Sequence, residues 1–165
     1  GHIMHRSDLK TVIFCFGGGG HDAQANRLAS KLIPLLKGHE IVSLSDVKVK
    51  PDWSLRHYVV DELRSKYSHF DTIKNINIFK FLRIISRVSK TENVKAVIST
   101  GPGISLVAGI YFSLKGVNVI HIETWSRIKT ASLTGRFMYL VADKFYVQHK
   151  SLLKVYPKAT YAGIL

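Results

Sequence analysis

Residues 11–16, Thr-Val-Ile-Phe-Cys-Phe, run without a charged side chain and stop on four consecutive glycines, Gly17 to Gly20. Apolar character at nearly every position, rather than at every second one, belongs to a strand covered on both faces, which is the interior of a parallel sheet. Glycine costs more entropy to order than any other residue, so four together imply that the backbone comes close to something where the strand ends. The segment from Asp22 to Lys37 then reads as a helix, with Ala23, Leu28, Leu32 and Leu35 available for packing and Pro34 kinking or ending it. Strand, glycine turn, helix: this unit sets the expectations for the rest of the chain.

Downstream the alternation repeats. "HEIVSLS" (39–45), "VKAVIST" (94–100), "VNVIHI" (117–122) and "KFYVQ" (144–148) read as strands. Helical periods cover Ile76–Val88, Ile104–Lys115 and Ser132–Leu140; "SLLKVY" reads as a short helix and "ATYAGIL" as a last strand or tail. Residues 46–73 show no clean period and form a long irregular insertion rich in aromatics. Strands alternating with helices imply an α/β fold, a Rossmann-like doubly wound parallel sheet with right-handed crossovers. At 165 residues the chain has room for one domain, 6–165, with residues 1–5 (GHIMH) reading as a tag remnant. One cysteine, Cys15, excludes an internal disulfide and reads as a buried thiol. No stretch reaches the ~18 apolar residues that a spanning helix needs.

Twenty-four lysines and arginines face 11 acidic residues, a formal charge of +13. Such an excess selects anionic partners: lipid, nucleotides, pyrophosphates or nucleic acid. In residues 74–90, Lys80, Arg83, Arg87 and Lys90 line one helical face and Ile78, Phe81, Leu82, Ile85 and Val88 another. A basic amphipathic helix of this kind either lies on a membrane with its cations toward anionic head groups, or covers the sheet and turns a basic face outward. The histidines at 39, 57, 69, 121 and 149 show no metal-ligand spacing, so no metal is expected.

In a doubly wound sheet the loops leaving the carboxyl ends of the strands line the ligand crevice. Gly18, Gly19 and Gly20 stand at one such loop, where backbone N–H groups and a helix start attract anions. Gly101 and Gly103, with Pro102 between them, make a second mouth after the 94–100 strand. A nicotinamide-dependent, NAD(P)-type oxidoreductase is one reading, because Gly18-Gly19-Gly20-His21-Asp22-Ala23 satisfies G-x-G-x-x-G/A and Asp46 follows the second strand. The P-loop is excluded, since no Gly-Lys-Ser/Thr ends either glycine cluster. His21 either caps the helix or acts chemically: the positive end of a helix dipole keeps an imidazole neutral, and a neutral imidazole can take a proton from a hydroxyl. Glu123 lies just past a strand, where ligand-binding side chains gather, and Arg127 nearby could pair with it.

"GGGGHDAQ", "STGPG" (99–103), "HIETWSRIKTASLTGRFMYLVADKFYVQ" (121–148) and the closing "YPKATYAGIL" together resemble the asparagine-linked glycosylation protein 14 family and its bacterial relatives in capsule and exopolysaccharide synthesis. The resemblance runs from about residue 11 to residue 165 and is most specific over 99–148. It implies the N-terminal, acceptor-side half of a GT-B glycosyltransferase, carried on its own chain and needing no metal or other cofactor. A separate donor-binding subunit, like asparagine-linked glycosylation protein 13, would hold the UDP-sugar in the shared cleft. The implied acceptor is a polyprenyl- or dolichyl-pyrophosphate-linked sugar, at an anionic membrane surface on the cytoplasmic face; no nucleic-acid partner is expected. Within that reading His21 and Glu123 are the catalytic candidates, while Gly18, Gly19, Gly20, Gly101, Gly103, Trp125 and Arg127 would bind substrate. Lys80, Arg83, Arg87 and Lys90 would touch the membrane. Two departures stand out. Eukaryotic members carry an N-terminal membrane anchor that is not seen here, and Val147-Gln148-His149-Lys150 replaces the usual Val-Gln-Trp-Pro.

Overall fold

The 11–16 run forms the middle of a seven-stranded sheet in the computed structural model, which describes residues 9–17, 21–60, 77–101, 103–124 and 133–165. The strands are β1 (Lys10–Phe16), β2 (His39–Ser45), β3 (Arg56–Val59), β4 (Val94–Ser99), β5 (Asn118–Ile122), β6 (Lys144–Val147) and β7 (Thr160–Tyr161). Their spatial order is β3-β2-β1-β4-β5-β6-β7, and every neighbouring pair is parallel. The order reverses between β1 and β4, the signature of the doubly wound fold expected above.

Helices α1 (His21–Leu32), α2 (Asn77–Thr91), α3 (Gly103–Leu114) and α4 (Leu133–Val141) cover the two faces. Alternate residues of β1 divide between them. Val12, Phe14 and Phe16 pack with Ala25, Leu28 and Ala29 of α1. Ile13 and Cys15 belong to the larger cluster built from Phe81, Ile85 and Val88 of α2, Ile104, Ala108 and Phe112 of α3, and Met138 of α4. A strand with two dry faces has no polar side to offer, which is why the 11–16 run does not alternate.

Two expectations need correcting. The helix expected over 22–37 ends at Leu32, and Ile33–Leu35 form a separate 3-10 turn begun by Pro34, whose missing N–H suits a first turn. Ala23 and Leu35 are exposed, Leu35 by 78 %, whereas Leu28 is buried and Leu32 half-buried as expected; the buried face also takes in Gln24, Ala25 and Ala29. The described part of the 46–73 segment, residues 46–60, is also less irregular than its sequence suggested, because it contains edge strand β3. The Leu55 and Val60 amides donate to Ile41 and Ser45 carbonyls of β2. Trp53 lies tilted against Phe14 and Phe16, and its indole N–H donates to Asn26 Oδ1 at 2.8 Å, joining this segment to α1.

At the amino-terminal edge, β3 is clamped by charge. Glu92, 2 % exposed, takes the Arg56 Nε and Nη2 hydrogens at 2.7 and 2.6 Å, the Tyr58 hydroxyl at 2.6 Å and the Thr11 hydroxyl at 3.3 Å. Arg56 Nη2 also reaches Glu40 Oε1 at 3.1 Å. Burial pushes the Glu92 carboxyl up, but the Arg56 guanidinium and the two hydroxyls outweigh it and hold the group below its ordinary value.

Cys15 is fully enclosed, and burial pushes its thiol up to about 12. Thiolate is the reactive form, so Cys15 should not react with a disulfide reagent such as Ellman's reagent at pH 8 until the protein unfolds. Kinetics of labelling across a urea series check this; a labelling rate that does not depend on urea below the unfolding transition would contradict it.

Candidate functional site

The carboxyl ends of β1, β4 and β5 lie side by side, since Cys15 pairs with Ser99 and Ser99 with His121. Gly17 is buried at the first of these ends, and α1 begins at His21. Thr100 and Gly101 follow the second, and α3 begins at Gly103. The Cys15 carbonyl ties the two ends together: it accepts the Thr100 amide at 3.1 Å and the Ser105 hydroxyl at 3.2 Å. Gly101 has φ 86°, a left-handed conformation that explains why this turn needs glycine. Helices α1 and α3 cover opposite faces, so their N-termini stand on either side of the sheet at the reversal of strand order, where a doubly wound fold places its ligand crevice. Backbone partial charge there favours an anion.

The structure therefore brings His21, Gly101, Gly103 and Glu123 to one edge of the sheet. Gly18, Gly19, Gly20, Pro102, Trp125 and Arg127 lie outside the described residues. Lys80, Arg83, Arg87 and Lys90 are not at this edge as a group: all four are exposed along α2, while Phe81, Ile85 and Val88 on its other side are buried. This is the division of faces that the 74–90 pattern called for.

Glu123 sits in a polar network that the sequence did not disclose. Its carboxylate accepts the Thr124 amide on Oε1 at 3.1 Å and the Tyr156 hydroxyl on Oε2 at 3.3 Å. His121 Nε2 stands 3.9 Å from Oε1, and His121 Nδ1 is 2.9 Å from the Ser99 hydroxyl. The Glu123 carbonyl accepts Gln148 Nε2 at 3.0 Å, and Gln148 Oε1 accepts the Leu165 amide at 2.9 Å. Burial pushes the Glu123 carboxyl up, yet His121, the Thr124 amide and the Tyr156 hydroxyl more than offset this and hold it below its ordinary value. At 3 % exposure it is an enclosed, weakly basic carboxylate. One signal was available: His121 and Glu123, two apart on a strand, must share a face.

Among the described residues no group of histidine, cysteine, aspartate and glutamate side chains could hold a metal ion, and no helix is long and apolar enough to cross a membrane.

Residues 12–165 match the family model described as "Oligosaccharide biosynthesis protein Alg14 like". The chain belongs to this Alg14-like family. A rat relative, "UDP-N-acetylglucosamine transferase subunit ALG14", is 34 % identical over 191 residues, covering 98 % of this chain and 85 % of its own length. The Saccharomyces cerevisiae protein of the same description is 24 % identical over 200 residues, covering 97 % and 78 %. Among solved structures, Acinetobacter baumannii MurG superposes with a TM-score of 0.61 at 20 % identity. A putative UDP-N-acetylglucosamine 2-epimerase from Listeria monocytogenes superposes with 0.64 at 15 %. The alignments cover 86 % and 90 % of this chain but 42 % of each of those two. At these identities the likeness concerns the fold alone, a Rossmann-like α/β unit with a parallel sheet.

Proposed function

We propose that this Alg14-like chain is the acceptor-side, membrane-recruiting subunit of a two-component glycosyltransferase that moves a sugar from a UDP-sugar to a polyprenyl-pyrophosphate-linked acceptor. The supporting observation is the pair of helix N-termini at the reversal of strand order, in a Rossmann-like unit whose family relatives are described as transferase subunits. The donor-binding partner, of the asparagine-linked glycosylation protein 13 kind, would close the other side of the cleft and hold the nucleotide. UDP-N-acetylglucosamine is the donor to test first, following the relatives' description.

In the proposed step an acceptor hydroxyl attacks the anomeric carbon as the bond from that carbon to the diphosphate oxygen breaks. Its electron pair leaves on UDP, and the hydroxyl proton passes to the His21 imidazole. The helix start favours a neutral, proton-accepting His21 before attack. Gly18, Gly19 and Gly20 would let the acceptor or the diphosphate approach the main chain, with Gly101 and Gly103 shaping the facing turn. Trp125 and Arg127 would hold sugar and pyrophosphate. Glu123, enclosed and hydrogen-bonded, suits holding the end of β5 better than receiving the proton.

Reconstitution tests the two-subunit reading. With radiolabelled UDP-N-acetylglucosamine and a pyrophosphate-linked lipid acceptor, this chain alone should give no transfer, and adding the donor subunit should give turnover. Full turnover by this chain alone would overturn it.

The exposed basic row of α2 fits an anionic membrane surface at the cytoplasmic face, here in a bacterial cell. Each basic side chain near such a surface is worth about 1 kcal/mol, so replacing Lys80, Arg83, Arg87 and Lys90 together by glutamine should weaken binding to phosphatidylglycerol vesicles by roughly 100-fold or more. Vesicle sedimentation at 0.1 M salt reads this, and unchanged binding would remove the membrane role from α2.

A further inference from the structure

His121 is 1 % exposed, yet its Nε2 is enclosed with no hydrogen-bond partner. A buried polar atom left without a partner calls for an explanation. The ring is fixed on two sides: Nδ1 lies 2.9 Å from the Ser99 hydroxyl on β4, and the imidazole packs on Phe145 of β6 with centroids 5.0 Å apart. If Ser99 accepted a proton from Nδ1, a bare Nε2 lone pair would face the Glu123 carboxylate. The favourable arrangement is the reverse, with the Ser99 hydroxyl donating to Nδ1 and the proton on Nε2, directed at Glu123 Oε1 3.9 Å away. Serine, histidine and glutamate are also the groups of a hydrolytic triad, but Ser99 is fully buried and can attack nothing.

We propose that His121 is a positioning residue: locked by Ser99 in its Nε2–H form, it orients the Glu123 carboxylate and keeps it ionised. Glu123 in turn holds the Thr124 amide and the Tyr156 hydroxyl, and so fixes the end of β5 beside the crevice. His121 touches no substrate and acts through Glu123. Its effect on transfer rests on the function proposed above; its effect on Glu123 does not.

The experiment follows from the two ring nitrogens. His121→Gln keeps an N–H near the Nε2 position, facing Glu123, whereas His121→Asn keeps a polar group near the Nδ1 position, facing Ser99. In the isolated chain, carboxyl-carbon NMR should show Glu123 titrating at higher pH in His121→Asn and near its native position in His121→Gln. With the donor subunit, acceptor KM should rise up to roughly tenfold in the Asn variant, the worth of one net hydrogen bond, with donor KM unchanged and the Gln variant largely rescued. Rescue by Asn instead of Gln would show that His121 serves only the Ser99 contact and would overturn the proposal. If neither variant folds, nitrogen-15 NMR of the native chain decides: a neutral Nε2–H imidazole supports it, and a ring protonated on Nδ1, neutral or cationic, overturns it. The NMR outcomes stand even if no transferase activity is found.

Discussion

Replacing Arg56 by methionine should lower the unfolding free energy at pH 7 by about 3 kcal/mol, toward the lower end of what breaking a buried ion pair costs. The reason lies in what remains. Glu92 is 2 % exposed and would lose both guanidinium hydrogen bonds, leaving an ionised carboxylate with the Tyr58 and Thr11 hydroxyls as its remaining hydrogen-bond donors in the clamp. Arg56 is itself partly in water, with its side chain 40 % exposed, so the loss should not reach the top of the range. The pH dependence has a definite sign. In the native protein the Glu92 carboxyl is held below its ordinary value, so its stabilising contribution is complete above the unfolded-state pKa and is lost as pH falls through the folded one. In the variant, burial without the cation raises that pKa, and protonation at low pH relieves the misplaced charge. The stability gap should therefore narrow from pH 7 to pH 4. Urea unfolding at the two pH values measures it; an equal gap at both would mean that the Arg56 stem, not its charge, secures β3.

The second large effect concerns turnover. His21→Ala in the complex with the donor subunit should reduce kcat by about 100-fold or more, the usual contribution of a positioned general base. Assembly with the donor subunit should be unchanged, because the substitution removes a side chain at the mouth of α1 and leaves the buried face of Ala25, Leu28 and Ala29 intact. If His21 is the proposed base, the acid limb of the kcat/KM profile should also disappear with it. A variant with native kcat and a native pH profile would reduce His21 to a helix cap.

Most of the sheet was legible because its central strands have no solvent face to blur them. The run at 11–16 and "HEIVSLS" at 39–45 announce themselves by composition alone, and β2 occupies the very residues expected. Strand β3 was not legible. Arg56, His57 and Tyr58 are only partly buried and Val59 is exposed, so "RHYV" has neither an apolar run nor a clean alternation. What makes it a strand is distant in sequence: Glu92 and Glu40 holding Arg56. Helix α1 was found with Leu28 and Leu32 inward as expected but with Ala23 and Leu35 misplaced, since Leu35 looks as buriable as Leu28 until Pro34 breaks the helical phase. The strand ends were legible in outline, because glycines and a histidine after an apolar run mark such an end whatever the rest of the fold. The Ser99–His121–Glu123–Tyr156 network was not. His121 reads as one histidine among several until β4 and β5 are set side by side, and Tyr156 arrives from a turn 33 residues beyond Glu123.

The lone thiol at Cys15 has a practical consequence. Because the chain has one cysteine and the sheet seals it, a new cysteine placed on the surface, for instance in place of Leu114, can carry a fluorophore without first removing the native one. A single-dye version of the unaltered core is then at hand for measuring distances to a labelled vesicle or a labelled second subunit.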